Sequence, residues 1–284
     1  MRVFKKKDDI QGFIRHLHDK KQVIGFVPTM GALHAGHISL IEAARQQSDF
    51  TVCSIFVNPT QFNDPKDLEK YPRTIEKDLR LLALHNCDAV FYPDVAEVYP
   101  SGTGEHRPHY DLGQLEFILE GKYRPGHFQG VADVVSRLFY TIGPDRVFFG
   151  QKDLQQCKII EKLIAGNPDF QKIQMNRVPT LREPDGLAMS SRNTRLSPGE
   201  LRKAPAIYQT LQYLKEHLAP GDLSALQADA QELLVRNGFR PDYVSIAYTR
   251  TLEACRFWDG QSPLTGLIAA FLGDVRLIDN LELC

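Results

Sequence analysis

Cysteine is sparse in this chain, and its placement excludes two uses. Cys53, Cys87, Cys157, Cys255 and Cys284 are odd in number, widely spaced and free of any C-x-x-C pair. Neither a disulfide framework nor a structural zinc site fits that pattern, and a reducing compartment, the cytoplasm, is the expected location. Neither charge sign is in surplus: 34 Lys and Arg face 35 Asp and Glu. No general field therefore draws in nucleic acid or an anionic membrane, and neither is an expected partner. Long apolar runs are missing too. Residues 267–272 are far too few to span a bilayer, and no apolar core follows the charged start Met1-Arg-Val-Phe-Lys-Lys-Lys-Asp-Asp, so neither a membrane span nor a secretory leader is expected. His16, His18, His85, His106, His109 and His217 fall at no metal-ligand spacing, and no protein-held metal is expected. Internal repeats and low-complexity tracts are absent as well.

What remains is an ordinary globular mixture, 43% apolar and 24% charged over 284 residues, enough for about two domains. Short apolar runs at 23–27, 51–57, 89–92 and 146–149 alternate with helical patterns near 9–20, 39–47, 75–84, 131–141 and 154–165. That alternation predicts an α/β fold, a Rossmann-like parallel sheet with helices on both faces, over residues 1–178. Ligands of such sheets bind beyond the strand carboxyl ends, so the loops after Val27, Val57 and Phe149 should border one crevice. The grammar changes after Val178. Turn formers fill 179–186, and Ser197-Pro-Gly-Glu200 supplies a capping box with proline at the first helical position. Helical patterns at 198–217 and 222–237 precede strand-like runs at 243–249, 267–272 and 275–278, which predicts a smaller α+β C-terminal domain, residues 179–284, with a partly antiparallel sheet. The Pro-, Asp- and Lys-rich stretch 58–73 reads as a long loop beside the site, a candidate lid.

The most informative residues are Pro28-Thr-Met-Gly-Ala-Leu-His-Ala-Gly-His37, which join the first apolar run to a helical pattern. A strand, a glycine loop and a helix N-terminus make an anion site. The helix dipole and backbone N–H groups favour phosphate, Gly31 and Gly36 permit close approach, and His34 and His37 add imidazoles. Gly31 and Gly36 have the glycine spacing of a Walker loop, but His37 and Ile38 stand where that loop needs Lys and Ser or Thr, so a P-loop NTPase is not expected. The dinucleotide fingerprint G-x-G-x-x-G is missing. A structural histidine pair at a helix start is the alternative on this spacing alone.

Two further constellations carry charge. Gly150-Gln-Lys-Asp153 follows a strand-like run and precedes a helix; Lys152 offers a point charge to phosphate, and Asp153 suits a helix cap or a nucleotide contact. A surface Lys-Asp turn is the bland alternative. In Asp185-Gly-Leu-Ala-Met-Ser-Ser-Arg-Asn193, the hydroxyls of Ser190 and Ser191 donate to phosphate oxygens and Arg192 can grip two at once. A polar hinge between domains explains the same residues, and both readings can hold.

The segments P-T-M-G-A-L-H-A-G-H, F-V-N-P-T-Q-F, R-P-G-H-F-Q-G-V, G-Q-K-D-L-Q-Q and D-G-L-A-M-S-S-R-N, in that order, resemble the pantothenate synthetase family over essentially the whole chain. Gln151 stands where many members carry Glu. That family belongs with the HIGH-motif nucleotidylyltransferases, so His34 to His37 resembles the HIGH element and Met189 to Arg192 the KMSKS element. The resemblance implies an ATP-dependent ligase in which the pantoate carboxylate attacks the α-phosphate of ATP and β-alanine then attacks the pantoyl adenylate. It implies no enzyme nucleophile. By the same resemblance His34, His37, Lys152 and Arg192 are catalytic, and Met30, Gly31, Ala32, Leu33, His34, Ala35, Gly36, His37, Gly150, Gln151, Lys152, Asp153, Leu181, Met189, Ser190, Ser191 and Arg192 hold ATP. Gln61 and Gln156 hold pantoate, Mg²⁺ rides on the ATP phosphates, and the chain is a homodimer. Arg124-Pro-Gly-His127 receives no catalytic role, since a turn with a structural histidine explains it equally. Three rival readings share the loop: a transferase adding AMP to a phosphate ester, an ATP-sensing module, and a metallohydrolase using His34 and His37, for which no third ligand stands at recognisable spacing.

Overall fold

A computed structural model describes residues 1–63, 65–104 and 108–284; His106 lies outside the described residues. The chain divides into two compact units, the first formed by residues 1–116, 124–151 and 156–179, the second by 117–123, 152–155 and 180–284.

The first unit is built on six parallel strands: β1 (Arg2–Phe4), β2 (Ile24–Thr29), β3 (Phe50–Ile55), β4 (Ala89–Phe91), β5 (Arg146–Gly150) and β6 (Gln174–Val178), in the order β1-β4-β3-β2-β5-β6. The central strands are near-continuous apolar runs because both faces are covered. Alternate residues serve opposite faces. Phe26, Val52, Ala89, Phe91, Val147 and Phe149 join one buried cluster with Ile10, Ile14 and Leu17 of the Lys7–Asp19 helix and Val131, Val135 and Leu138 of the His127–Ile142 helix. Val27, Cys53, Ile55, Val90 and Phe148 join the other, with Ile41 and Ala44 of the Ala35–Gln47 helix and Leu82 of the Ile75–Leu84 helix. The α/β expectation therefore holds. Strand order reverses at β2, flanked by β3 and β5, and such a switch point opens a crevice at the strand carboxyl ends.

The expected pattern omits the two outer strands, β1 and β6. The first has three residues, and the second, Gln-Met-Asn-Arg-Val, is half-exposed at the sheet edge and has no apolar run to announce it. The stretch 58–73 is not one long loop. Asn58 caps a 3₁₀ turn, Pro59–Gln61, and a short helix, Pro65–Glu69, follows, because Pro at the first helical position starts a turn at no hydrogen-bonding cost.

The second unit opens its helical part with the expected capping box: the Ser197 hydroxyl accepts from Glu200 N, and the Glu200 carboxylate takes the Ser197 N–H at 2.8 Å. One helix was expected over 198–217, but two occur, Pro198–Lys203 and Ala206–Glu216, because Pro205 has no N–H to continue the ladder. The Ser224–Arg236 helix follows. A small ribbon pairs β7 (Gly221–Asp222) with β9 (Phe257–Trp258), and β8 (Phe239–Tyr248), β10 (Leu264–Leu272) and β11 (Val275–Glu282) form a fully antiparallel sheet in the order β11-β10-β8. Ile207, Leu211 and Leu214 pack with Ile246, Ile268 and Leu277 in one apolar core. Among the described residues no helix is long and apolar enough to cross a membrane.

Candidate active site

In the first unit the chain leaves β2 through a loop in which Gly31 (φ 78°) and Ala32 (φ 50°) both take the left-handed conformation. For Ala32 this is a strained backbone, and a buried anchor holds it. Asp78, in the Ile75–Leu84 helix and 1% exposed, accepts Ala32 N at 2.9 Å and Leu33 N at 2.9 Å, while Thr74 Oγ1 donates to the same carboxylate at 3.1 Å. Gly31 N donates to Thr29 Oγ1 at 3.2 Å. A Cβ on Gly31 would stand 3.1 Å from the Asp78 carboxylate, so the glycine supplies room as well as φ.

His34 is the N-cap of the Ala35–Gln47 helix. Its Nδ1 accepts Gly36 N at 3.1 Å, and His37 Nδ1 accepts His34 N at 3.3 Å, a capping box made by two imidazoles whose centroids lie 4.1 Å apart. Backbone N–H groups can only donate, so both Nδ1 atoms are acceptors, and each neutral ring carries its proton on Nε2. The sequence expectation gave the backbone N–H groups to phosphate. Those of Gly31, Ala32, Leu33, His34 and Gly36 are hydrogen-bonded within the protein itself.

The loop after β3 carries Gln61, 8% exposed. Its Oε1 accepts Asn58 Nδ2 at 3.1 Å, and its Nε2 lies 2.9 Å from Met30 Sδ, which joins this loop to the histidine loop. His127 Nδ1 is 2.7 Å from the Gln61 carbonyl, and Arg124 Nη1 is 3.1 Å from His127 Nε2. A carbonyl only accepts and a guanidinium only donates, so His127 is the neutral Nδ1–H tautomer. The Arg124–His127 turn thus contains a structural histidine that holds the Gln61 backbone. The third loop begins at Gly150, whose carbonyl lies 3.4 Å from Cys157 Sγ; Gln151 and Gln156 are half-buried.

The remaining expected residues belong to the second unit. Lys152 is half-buried and its carbonyl accepts Asn280 Nδ2 at 2.9 Å; Asp153 and Leu181 are exposed. Met189 N donates to the Leu181 carbonyl at 3.0 Å. Ser190 caps the 3₁₀ segment Ser191–Arg195, its hydroxyl accepting Arg192 N at 3.2 Å. Arg182 pins this loop to β11: its guanidinium makes bonds of 2.6 and 3.0 Å to Asp279, whose side chain is fully buried, and stacks 3.9 Å above the Tyr208 ring. Burial pushes the Asp279 carboxyl up, against the pull of Arg182. Asp78, Asp279 and Asn280 all escape sequence reasoning. Each lies tens of residues from what it holds, and no local spacing marks it. Among the described residues no group of three or more His, Cys, Asp or Glu is placed to hold a metal ion.

Comparison with known proteins identifies the family. The family model described as pantoate-beta-alanine ligase matches residues 2–282. A pantothenate synthetase of Pseudomonas fluorescens is 45% identical over 286 residues, covering 100% of this chain and 98% of the relative. The crystal structure of pantothenate synthetase from Thermus thermophilus has a TM-score of 0.90 at 38% identity, covering 100% of this chain and 99% of that one. The pantoate-beta-alanine ligase of Francisella tularensis, crystallised with beta-gamma ATP and beta-alanine, has a TM-score of 0.81 at 34% identity, covering 100% of this chain and 98% of that one. With a family model spanning nearly its whole length and such relatives along it, this chain belongs to the pantoate-beta-alanine ligase family.

Proposed function

We infer that this chain is an AMP-forming ligase that joins pantoate to β-alanine. A pantoate carboxylate oxygen attacks the α-phosphorus of ATP and pyrophosphate leaves; the β-alanine amine then attacks the acyl carbon, AMP leaves, and pantothenate forms. The carrying observation is the reciprocal imidazole cap, which fixes two histidine rings side by side at the N-terminus of the Ala35–Gln47 helix. Displacement at phosphorus needs positioning and neutralisation of charge rather than an enzyme nucleophile, and a helix N-terminus bearing two fixed imidazoles suits that need.

In this reading His34, His37, Lys152 and Arg192 are the catalytic residues that neutralise charge on ATP, with contacts to the nucleotide from Met30 to His37, Gly150 to Asp153, Leu181 and Met189 to Ser191. Mg²⁺, carried on the phosphates, would neutralise part of their charge. Gln61 and Gln156 hold pantoate, for a neutral carboxamide binds its oxygens without a cationic clamp that would blunt the nucleophile. Residues 1–178 supply the nucleotide and pantoate sites and 179–284 the Met189–Arg192 segment. The enzyme acts as a soluble homodimer, testable as a solution mass twice that of the chain.

Pantoate-dependent exchange of labelled pyrophosphate into ATP tests the chemistry. Exchange is expected with wild type and absent without pantoate; wild type that forms pantothenate from both substrates yet shows no pantoate-dependent exchange overturns the adenylate. His34→Ala and Lys152→Ala are each expected to slow exchange about 10²–10³-fold, the cost of removing one donor from developing charge. Gln61→Ala is expected to raise the pantoate KM and leave ATP binding nearly intact; equal loss of both sinks that division of labour.

A further inference from the structure

The 3₁₀ turn that carries Gln61 rests on a buried hydrogen-bond relay whose polarity can be read without ambiguity. Asn58 is 1% exposed. Its Nδ2 faces the Gly130 carbonyl at 3.1 Å, an obligate acceptor, and its Oδ1 faces Thr60 N at 3.3 Å, an obligate donor. Backbone groups on both sides therefore fix which way the Asn58 amide points. Since Nδ2 is the donor, its second partner, Gln61 Oε1 at 3.1 Å, must be the amide oxygen. The Gln61 carboxamide is thus held with its oxygen turned inward and its NH₂ turned out, beside the thioether of Met30.

Tyr99 completes the relay. Its hydroxyl donates to Asn58 Oδ1 at 2.9 Å and lies 3.2 Å from Thr60 Oγ1. The ring is 1% exposed, packs against Phe56 and lies under the Arg137 guanidinium at 4.7 Å, so the phenol has one direction in which to point.

We propose that Tyr99 is a positioning residue which, through Asn58, locks the Gln61 amide so that it offers substrate a donor and never an acceptor. The inference rests on the reading that Gln61 holds pantoate, and adds a rule of selectivity: the substrate atom recognised there is an oxygen that accepts. A turned-over Gln61 would aim its carbonyl dipole at that oxygen and repel it. The thioether is a weak acceptor, so exchanging it for a substrate oxygen strengthens the Nε2–H bond.

Two variants and a cycle test this. Tyr99→Phe removes one hydroxyl; the pantoate KM is expected to rise roughly two- to tenfold, the worth of one hydrogen bond, with ATP affinity changed less than about twofold. Asn58→Asp keeps the acceptor for Thr60 and Tyr99 but removes the NH₂ that faces Gln61, so the Gln61 amide turns its own NH₂ toward the new carboxylate. The pantoate KM is expected to rise more than about tenfold, again with ATP affinity retained. In a Gln61→Ala background, Tyr99→Phe is expected to add nothing further to the pantoate KM, because its effect passes through the missing amide. If Gln61→Ala raises the pantoate KM but Tyr99→Phe and Asn58→Asp, though folded, leave it unchanged, the relay is overturned and the Gln61 assignment survives. If Gln61→Ala leaves it unchanged, the assignment falls and the relay falls with it. A Tyr99→Phe protein that loses thermal stability while the affinities for both substrates stay as in wild type overturns the positioning role.

Discussion

Asp78 shows how one side chain can set a site it does not join. Its carboxylate takes two backbone N–H groups of the histidine loop and one hydroxyl, and so holds Ala32 in a left-handed conformation that an L-residue seldom adopts. Asp78→Ala leaves two inward N–H groups without an acceptor, each worth about 1–3 kcal/mol. Urea unfolding is expected to show a loss of at least ~2 kcal/mol, and ATP titration a weaker affinity, since the His34–His37 cap starts directly after the released loop. The thiols provide a simpler check. Burial pushes the Cys87 thiol up to about 12 and Cys53 well above its ordinary value, whereas Cys284 is exposed. Thiolate is the reactive form, so at pH 8 a disulfide reagent is expected to modify Cys284 rapidly and all five cysteines only after unfolding.

The His127–Ile142 helix and the 3₁₀ turn Pro59–Gln61 meet where no side chain fits between them. A Cβ on Gly130 would stand 2.3 Å from the Thr60 carbonyl oxygen and 2.9 Å from Gln61 Cα. Gly130→Ala must push the turn away from the helix. Calorimetry is expected to show a loss of about 1–3 kcal/mol, typical of overpacking, and kinetics a raised pantoate KM with ATP affinity spared. The turn before β10 responds to pH instead. The Ser262 hydroxyl, with the amides of Ser262 and Gln261, holds the Asp259 carboxyl at about 2. A carboxyl lowered in the folded state stabilises it above the unfolded value, about 3.9, and loses that contribution as pH falls through the folded one. The stability difference between wild type and Asp259→Asn is therefore expected to narrow between about pH 4 and about pH 2.

The second unit is assembled from three stretches of chain, and buried polar contacts explain why. Arg276 of β11 makes bonds of 2.7 and 2.8 Å to Glu120 and one of 2.7 Å to Asp242, which sits where the pairing of β8 with β10 shifts register. Burial works against the guanidinium charge, but Glu120 and Asp242 hold it protonated, and burial with Glu120 pushes the Tyr243 phenol up. Gln155 accepts Glu120 N at 3.0 Å and donates to the Ile118 carbonyl at 2.9 Å. Arg276→Ala leaves the Glu120 and Asp242 carboxylates without their shared cation, and chemical unfolding is expected to show a loss of about 3–5 kcal/mol; Glu120→Gln with Arg276→Met is expected to lose less, because one of the two carboxylate charges goes with the cation. The sequence by itself determined the alternation of strands and helices, the Ser197–Glu200 cap, and the histidine, lysine and arginine segments, because these are carried by contiguous residues whose periodicity or spacing is local. It did not determine β1 and β6, whose sheet pairing supplies what their composition lacks, or the break at Pro205, which one residue imposes on an otherwise continuous pattern. Only the tertiary structure decided that Asp78 grips Ala32, that Asn58 and Tyr99 orient Gln61, and that 117–123 and 152–155 pack with 180–284. Those contacts join residues far apart in sequence, and a hydrogen bond or a buried ion pair between distant segments exists only once the fold has brought both ends together.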